Sequence, residues 1–186
     1  MPTAVVVFPH PLWVPAMTIF GTAEVMAVSL LKLGVRSGDV AADLGCGTGT
    51  VTREIAKTAS YVYAVDAREI AVSCTKETCA GLPVEIIEGE VTDFLSRPHR
   101  KIDCAFLGGS RNLAETLTLL AEEGTRSIVV NAVLLETACL AIETMKRLGI
   151  FSDALHLQVS RSYELTKRTM FKPINPVYII HGENTC

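Results

Sequence analysis

The stretch "VAADLGCGTGTVTREIA", Val40 to Ala56, decides how this chain is read. An apolar run ends at the acidic Asp43, three glycines follow at alternate positions (Gly45, Gly47 and Gly49), and a segment with helical spacing comes next. A strand that enters a glycine turn and then a helix exposes backbone N–H groups to a ligand, because no Cβ blocks the approach. In open α/β sheets such a turn lies at the carboxyl ends of the strands, where ligands bind. The spacing is informative. A dinucleotide-binding turn reads GxGxxG, whereas the third glycine here arrives one residue early, and no lysine follows Gly49 as a phosphate-cradling P-loop requires.

Upstream, "TAEVMAVSLLKL" (Thr22 to Leu33) sets Val25, Val28, Leu31 and Leu33 near one helical face, with Thr22 as N-cap and Gly34 as terminator. Downstream, β-branched runs at Tyr61 to Asp66, Val84 to Gly89, Ile102 to Gly109 and Arg126 to Val133 alternate with helical patterns. These patterns cover Thr48 to Lys57, Arg68 to Ala80, Asn112 to Glu122 and Thr137 to Leu148. Alternation of this length specifies βαβ units and a parallel sheet covered on both faces. The tail differs: "LHLQVS" (Leu155 to Ser160) and "NPVYIIHG" (Asn175 to Gly182) have no helical pattern between them and are expected to pair antiparallel at one sheet edge. The connection between them, Ser160 to Pro176, is rich in Arg and Lys and reads as a loop.

The 186 residues suit one domain, 22–186, behind an N-terminal extension, 1–21. A formal charge of −3 supplies no basic field, so neither nucleic acid nor an anionic membrane is an expected partner. The apolar start is broken by Pro9, Pro11 and Pro15 and lacks a basic leader, so a cytoplasmic protein is expected. Six scattered cysteines without a CxxC pair, and four isolated histidines, point to no disulfide and no protein-held metal.

The second strand ends in Asp66, and a carboxylate there can accept hydrogen bonds from both ribose hydroxyls of an adenosine. Paired with the shortened glycine turn, it points to a nucleoside-type cofactor, and the turn itself resembles the S-adenosylmethionine loop. Cofactor contacts are expected from Gly45, Cys46, Gly47, Thr48, Gly49, Asp66 and Ala67, with Glu90 and Val91 at the adenine end of the third strand. The Cys46 thiol reads as a small filler, not a nucleophile.

A closer resemblance rests on "TAEVMAVSLLKLGVRSGDVAADLGCGTGTVTREIA", "VYAVDA", "EGE", "FLGGS", "VVNAVLLET" and "NPVYII". In order, these look like the decarboxylating precorrin methyltransferases of cobalamin biosynthesis, the CbiT family. The resemblance implies a Rossmann-like class I methyltransferase fold, with a mostly parallel seven-strand sheet and an antiparallel terminal strand. It also implies methylation of carbon 15 of cobalt-precorrin-6B, loss of CO₂ from the ring C acetate, S-adenosylmethionine as cofactor, and a homo-oligomer, often a tetramer. The sequence departs from the family pattern in places. Thr22, expected to help hold the cofactor, stands two residues before Glu24 instead of three; Met26 replaces an Arg; "GGSRN" replaces GGSGG; and Val91 takes a small-residue position.

On the substrate side the resemblance places Gly108, Gly109, Ser110 and Arg111 after the fourth strand, Asn131 at the end of the fifth, and Arg161 after the sixth. The two arginines are expected to hold peripheral carboxylates of the tetrapyrrole. Asn131 interrupts an apolar strand and reads either as a satisfied core amide or as a site polar group, its place at the strand's carboxyl end favouring the site; no decarboxylation residue is assignable. Two other classes stay open at this stage: a methyltransferase acting on RNA or a protein carboxylate, and a non-catalytic cofactor-binding module. The low aromatic content and intact loop weigh against them.

Overall fold

The computed structural model describes residues 23–109 and 111–184; the expectations placed on Thr22, Ser110 and the 1–21 extension lie outside the described residues. The elements run α1 (Ala23–Leu33), β1 (Val40–Leu44), α2 (Thr50–Ala56), β2 (Tyr61–Asp66), α3 (Glu69–Thr78), β3 (Val84–Glu88), α4 (Val91–Leu95) and β4 (Cys104–Leu107). They continue through α5 (Leu113–Glu123), β5 (Ser127–Ala132), α6 (Leu135–Arg147), β6 (Phe151–Leu157), β7 (Ser160–Leu165), β8 (Arg168–Pro173) and β9 (Val177–Glu183). Seven strands form one sheet in the order β3-β2-β1-β4-β5-β9-β6. β1 to β5 pair in parallel, and β9 runs antiparallel to both β5 and β6. This is the mostly parallel α/β sheet that the alternating pattern predicts.

The sheet is covered on both faces, and the side-chain period of two decides which residue faces which helix. Ala42 and Leu44 of β1, Ala105 and Leu107 of β4, and Ile128 and Val130 of β5 pack with Phe94, Leu117, Leu120 and Met145 from α4, α5 and α6. Their neighbours Ala41, Cys104, Phe106 and Val129 face the other way, onto Val25 and Leu33 of α1 and Val51 and Ile55 of α2.

The tail corrects the sequence reading. Ser160 to Pro176 is not a loop: β7 and β8 form a separate two-stranded antiparallel hairpin, and β6 begins earlier, at Phe151. The turn residues are Thr166 and Lys167, with φ of 50° and 60°. A two-residue turn with both φ positive usually uses Asn or Gly, so Thr-Lys gave no local signal. Two helix limits also move: α2 starts at Thr50, not Thr48, and α6 at Leu135, not Thr137; the short helix α4, Val91–Leu95, is one that the helical pattern does not show.

Asn131 is held by the fold. It is 2% exposed and donates its amide Nδ2 to Ser29 Oγ of α1 at 2.9 Å, while the Ser29 hydroxyl proton goes to Val25 O at 2.9 Å. This bond ties α1 to the carboxyl end of β5. Ser29→Ala strands a buried amide donor and is expected to lower stability by about 1–3 kcal/mol in urea denaturation. An unchanged midpoint would mean that Asn131 finds another partner.

Candidate active site

The carboxyl ends of β1, β2, β3, β4 and β5 border one cleft of about 410 Å³, within the size range of ligand pockets. Its floor is the glycine turn, fastened to the end of β2. Gly45 and Cys46 both donate their N–H groups to Val65 O, at 2.8 and 3.1 Å, and Gly47 N–H donates to Asp66 Oδ2 at 3.0 Å. Gly89 N–H, after β3, reaches Asp66 O at 3.1 Å, and Gly108 N–H, after β4, reaches Leu44 O at 3.0 Å. Four loops are thus laced together by backbone hydrogen bonds.

Two of the glycines are demanded by geometry. Gly45 has φ of 86°, and a Cβ there would stand 3.0 Å from Gly109 N, so the β1 and β4 loops meet only because the side chain is missing. Gly49 has φ of 74°, and its Cβ would lie 3.0 Å from the Thr75 Cα of α3. Gly49 caps α2 from behind the loop and is not part of the cleft wall.

The other cofactor candidates divide by what they touch. Gly45, Cys46, Gly47 and Thr48 line the cleft, as do Asp66, Ala67, Glu90 and Val91. Cys46 is buried, its sulfur lies 3.4 Å from Thr75 Oγ1, and burial pushes its thiol pKa up, so it is a filler and not a nucleophile. Burial works to raise the pKa of Asp66, but donors from Arg68 and Gly47 outweigh it and hold the carboxyl below its usual value.

On the other side, Gly108, Gly109, Arg111 and Asn131 line the cleft and Arg161 does not. Neither arginine is free as the sequence reading expects. Arg111 is ion-paired with Glu90 across the mouth, and Arg161 of β7 is held by both carboxylate oxygens of Glu24 at 2.8 Å. Both pairs are solvent-exposed and so contribute little to stability.

Of the wall residues that the sequence reading leaves unassigned, three bear on the chemistry of the cleft. Asp43 is 1% exposed; its Oδ2 accepts a hydrogen bond from Thr52 Oγ1 at 2.5 Å, while its buried Oδ1 has no partner. Its place just before the first glycine was the available signal. Arg68 forks onto Asp66, and its position two residues past that acid is the only hint of it. Leu134 stands 59% exposed at the rim, hidden in an apolar run that reads as core.

These residues fit a cationic nucleoside such as S-adenosylmethionine. The orphaned Asp43 oxygen and the Asp66 carboxylate together give the floor a preference for positive charge, and the glycine turn leaves room for a ligand against the backbone.

Comparison with known proteins points the same way. The profile of the precorrin methyltransferase domain family matches residues 18–183. A probable cobalt-precorrin-6B C(15)-methyltransferase (decarboxylating) from Methanosarcina mazei is 47% identical over 167 residues, which span 86% of this chain and 91% of that protein. Among solved structures, precorrin 8W decarboxylase from Methanobacterium thermoautotrophicum matches with a TM-score of 0.81 and 34% identity, covering 87% of this chain and 90% of that one. A precorrin-6Y C5,15-methyltransferase from Geobacter metallireducens matches with a TM-score of 0.80 and 26% identity, covering 89% and 91%.

Asp43 makes the site's electrostatics measurable. Burial raises its pKa, partly offset by the Thr52 hydrogen bond, to about 7 from 3.8. An acid whose folded pKa lies above its unfolded value contributes its stability fully at low pH and loses it as pH rises through the folded pKa. The ligand-free protein is therefore expected to lose about 4 kcal/mol at most from this group between pH 4 and 8. Asp43→Asn removes that slope and is more stable than wild type at pH 8, with the gap closing by pH 4. Parallel urea-denaturation profiles for the two proteins would contradict the assignment.

Proposed function

The chain belongs to the precorrin methyltransferase family, and from that premise we propose that it methylates carbon 15 of cobalt-precorrin-6B and removes CO₂ from the ring C acetate. The methyl donor is S-adenosylmethionine. The observation that carries this reading is the glycine turn fastened to Asp66 over the unpartnered Asp43 oxygen, in one cleft with an apolar far rim.

When bound, the cofactor supplies a methyl group on a sulfonium. The backbone from Gly45 to Thr48 bears on the cofactor, Asp66 takes the ribose hydroxyls, Glu90 and Val91 border the adenine, and Asp43 faces its positive charge. Opposite, Gly108 and Gly109 keep the wall thin; a Cβ on Gly109 would meet nothing within 4 Å, so a flat macrocycle can lie close. Leu134, with Val133 beside it, offers that macrocycle an apolar lip. Arg111 exchanges its exposed pair with Glu90 for a peripheral carboxylate at small cost, since both charges are already hydrated. Orientation of the nucleophilic carbon then supplies most of the acceleration. The positive charge of the sulfonium passes to the ring with the methyl group. The electron pair left as an acetate carboxylate departs as CO₂ is therefore taken up by the conjugated ring, and the CH₂ terminus gains a proton from water. A carboxylate held against the apolar lip is destabilised relative to that product.

This reading is favoured over an RNA substrate, because the cleft carries two carboxyls on its floor and an apolar lip, with Arg111 and Arg68 as its cations. It is favoured over a non-catalytic module because the glycine turn and Asp66 are intact and joined by a hydrogen bond. No helix among the described residues is long and apolar enough to cross a membrane, in keeping with a cytoplasmic enzyme.

A homo-oligomer, a tetramer by family resemblance, is supported by the β7–β8 hairpin. Every residue of both strands is exposed, including Tyr163, Leu165, Met170 and Phe171. A lone two-stranded ribbon is marginal in water, so a partner surface is needed to cover it.

Incubating the pure protein with methyl-labelled cofactor and cobalt-precorrin-6B should yield a product one methyl group heavier and one CO₂ lighter by mass spectrometry. Methylation of RNA instead would contradict the reading. Asp66→Ala should weaken calorimetric binding of the demethylated cofactor by about ten- to a hundredfold. Phe171→Asp should lower the particle mass in light scattering while leaving that binding unchanged; an unchanged mass would remove the hairpin from the interface.

A further inference from the structure

The chain itself uses every acceptor site on Asp66. Oδ2 receives Gly47 N–H at 3.0 Å and Arg68 Nη2 at 2.8 Å; Oδ1 receives the Arg68 backbone N–H at 3.1 Å and Arg68 Nε at 2.9 Å. A carboxylate offers about four lone-pair sites, so none is left over. The Nε and Nη2 of Arg68 present two adjacent N–H donors, one to each oxygen. A vicinal diol, binding side by side on the same carboxylate, presents the same pattern with two O–H donors.

We propose that Arg68 is an internal competitor for the ribose subsite: its guanidinium takes the place of the two ribose hydroxyls on Asp66 and must leave before an adenosine ligand docks. The inference rests on the reading of Asp66 as the ribose acceptor. Arg68 thereby sets the affinity for the cofactor and for its demethylated product, which share that ribose.

Three observations support the exchange. Asp66 is buried, with its side chain 4% exposed, while that of Arg68 is 48% exposed, so the arginine is the partner free to move. Its Nη2 would lie 4.0 Å from a Cβ built on Gly47, which places the guanidinium over the glycine turn and along the cleft wall. Among the described residues Asp66 is also its one ion-pair partner, so no second carboxylate holds the side chain in place. Gly47 N–H and the Arg68 backbone N–H stay on Asp66 after the side chain swings out, and two acceptor sites open side by side.

The test compares the wild-type chain with Arg68→Met, which keeps the apolar stem but removes the fork, and with Arg68→Lys, which keeps only the charge. Calorimetry uses S-adenosylhomocysteine, adenosine and 2′,3′-dideoxyadenosine. Arg68→Met is expected to bind the first two about tenfold tighter and the dideoxy compound no tighter than wild type, with Arg68→Lys in between. Its ligand-free melting temperature should fall at the same time, because Asp66 loses its counter-charge. A purely structural arginine would give a lower melting temperature together with weaker binding. Unchanged or weaker binding of adenosine by Arg68→Met would overturn the inference, as would an equal gain for the dideoxy compound, which would mark simple steric obstruction. A wild-type chain that binds none of the three would instead overturn the reading of Asp66, and the inference with it.

Discussion

The N–H of Gly47 donating to Asp66 Oδ2 is the contact on which the site depends. It fixes the glycine turn after β1 against the end of β2, where Val65 O already receives two N–H groups from the same turn. The parallel register that sets Leu44 beside Val65 and Leu107 makes this possible, because it ends three strands at one level. The turn, Asp66 and the β4 glycines then arrive together without any long side chain to place them. A Cβ at Gly45 would drive the β4 loop off by contact with Gly109 N. The absence of side chains is therefore as much a part of the architecture as their presence.

Around that contact the charges are arranged in opposition. Two carboxyls, Asp43 and Asp66, sit low in the cleft, where burial penalises ionisation, and the structure treats them differently. Asp66 receives four donors and stays ionised; Asp43 receives one and keeps a raised pKa. With the one orphaned oxygen on Asp43, such a floor favours positive charge. The cations lie higher: Arg68 bonded to Asp66, and Arg111 paired across the mouth with Glu90. Opposite signs thus stand at different depths of one cleft.

The parallel core was legible in the sequence because β1, β2, β4 and β5 are buried on both faces, and such strands read as apolar runs between helical patterns, while the edge strand β3 keeps Glu85 and Glu88 exposed. The glycine turn and the place of Asp66 in the cleft were legible because a tight turn demands glycine and an acidic residue ends the second apolar run beside it. The hairpin was not. Its strands are exposed throughout, so they carry no alternation of apolar and polar residues, and the Thr166–Lys167 turn lacks the usual Asn or Gly. Arg161 read as a free cation because its partner, Glu24, is far away in the sequence. Asn131 is held in the core by the Ser29 bond and also lines the cleft, and nothing near it in the sequence announces that partner. Pairings of this kind are tertiary facts, and local pattern carries no trace of them.

The central claim, that the turn and Asp66 form an adenosine subsite, is most directly tested by the crystal structure of the complex with S-adenosylhomocysteine. The account predicts both ribose hydroxyls within hydrogen-bond distance of the Asp66 carboxylate, the Gly47 N–H still on Oδ2, and the Arg68 guanidinium withdrawn from it. A bound nucleoside whose ribose lies away from Asp66, with the Arg68 fork still in place, would contradict it.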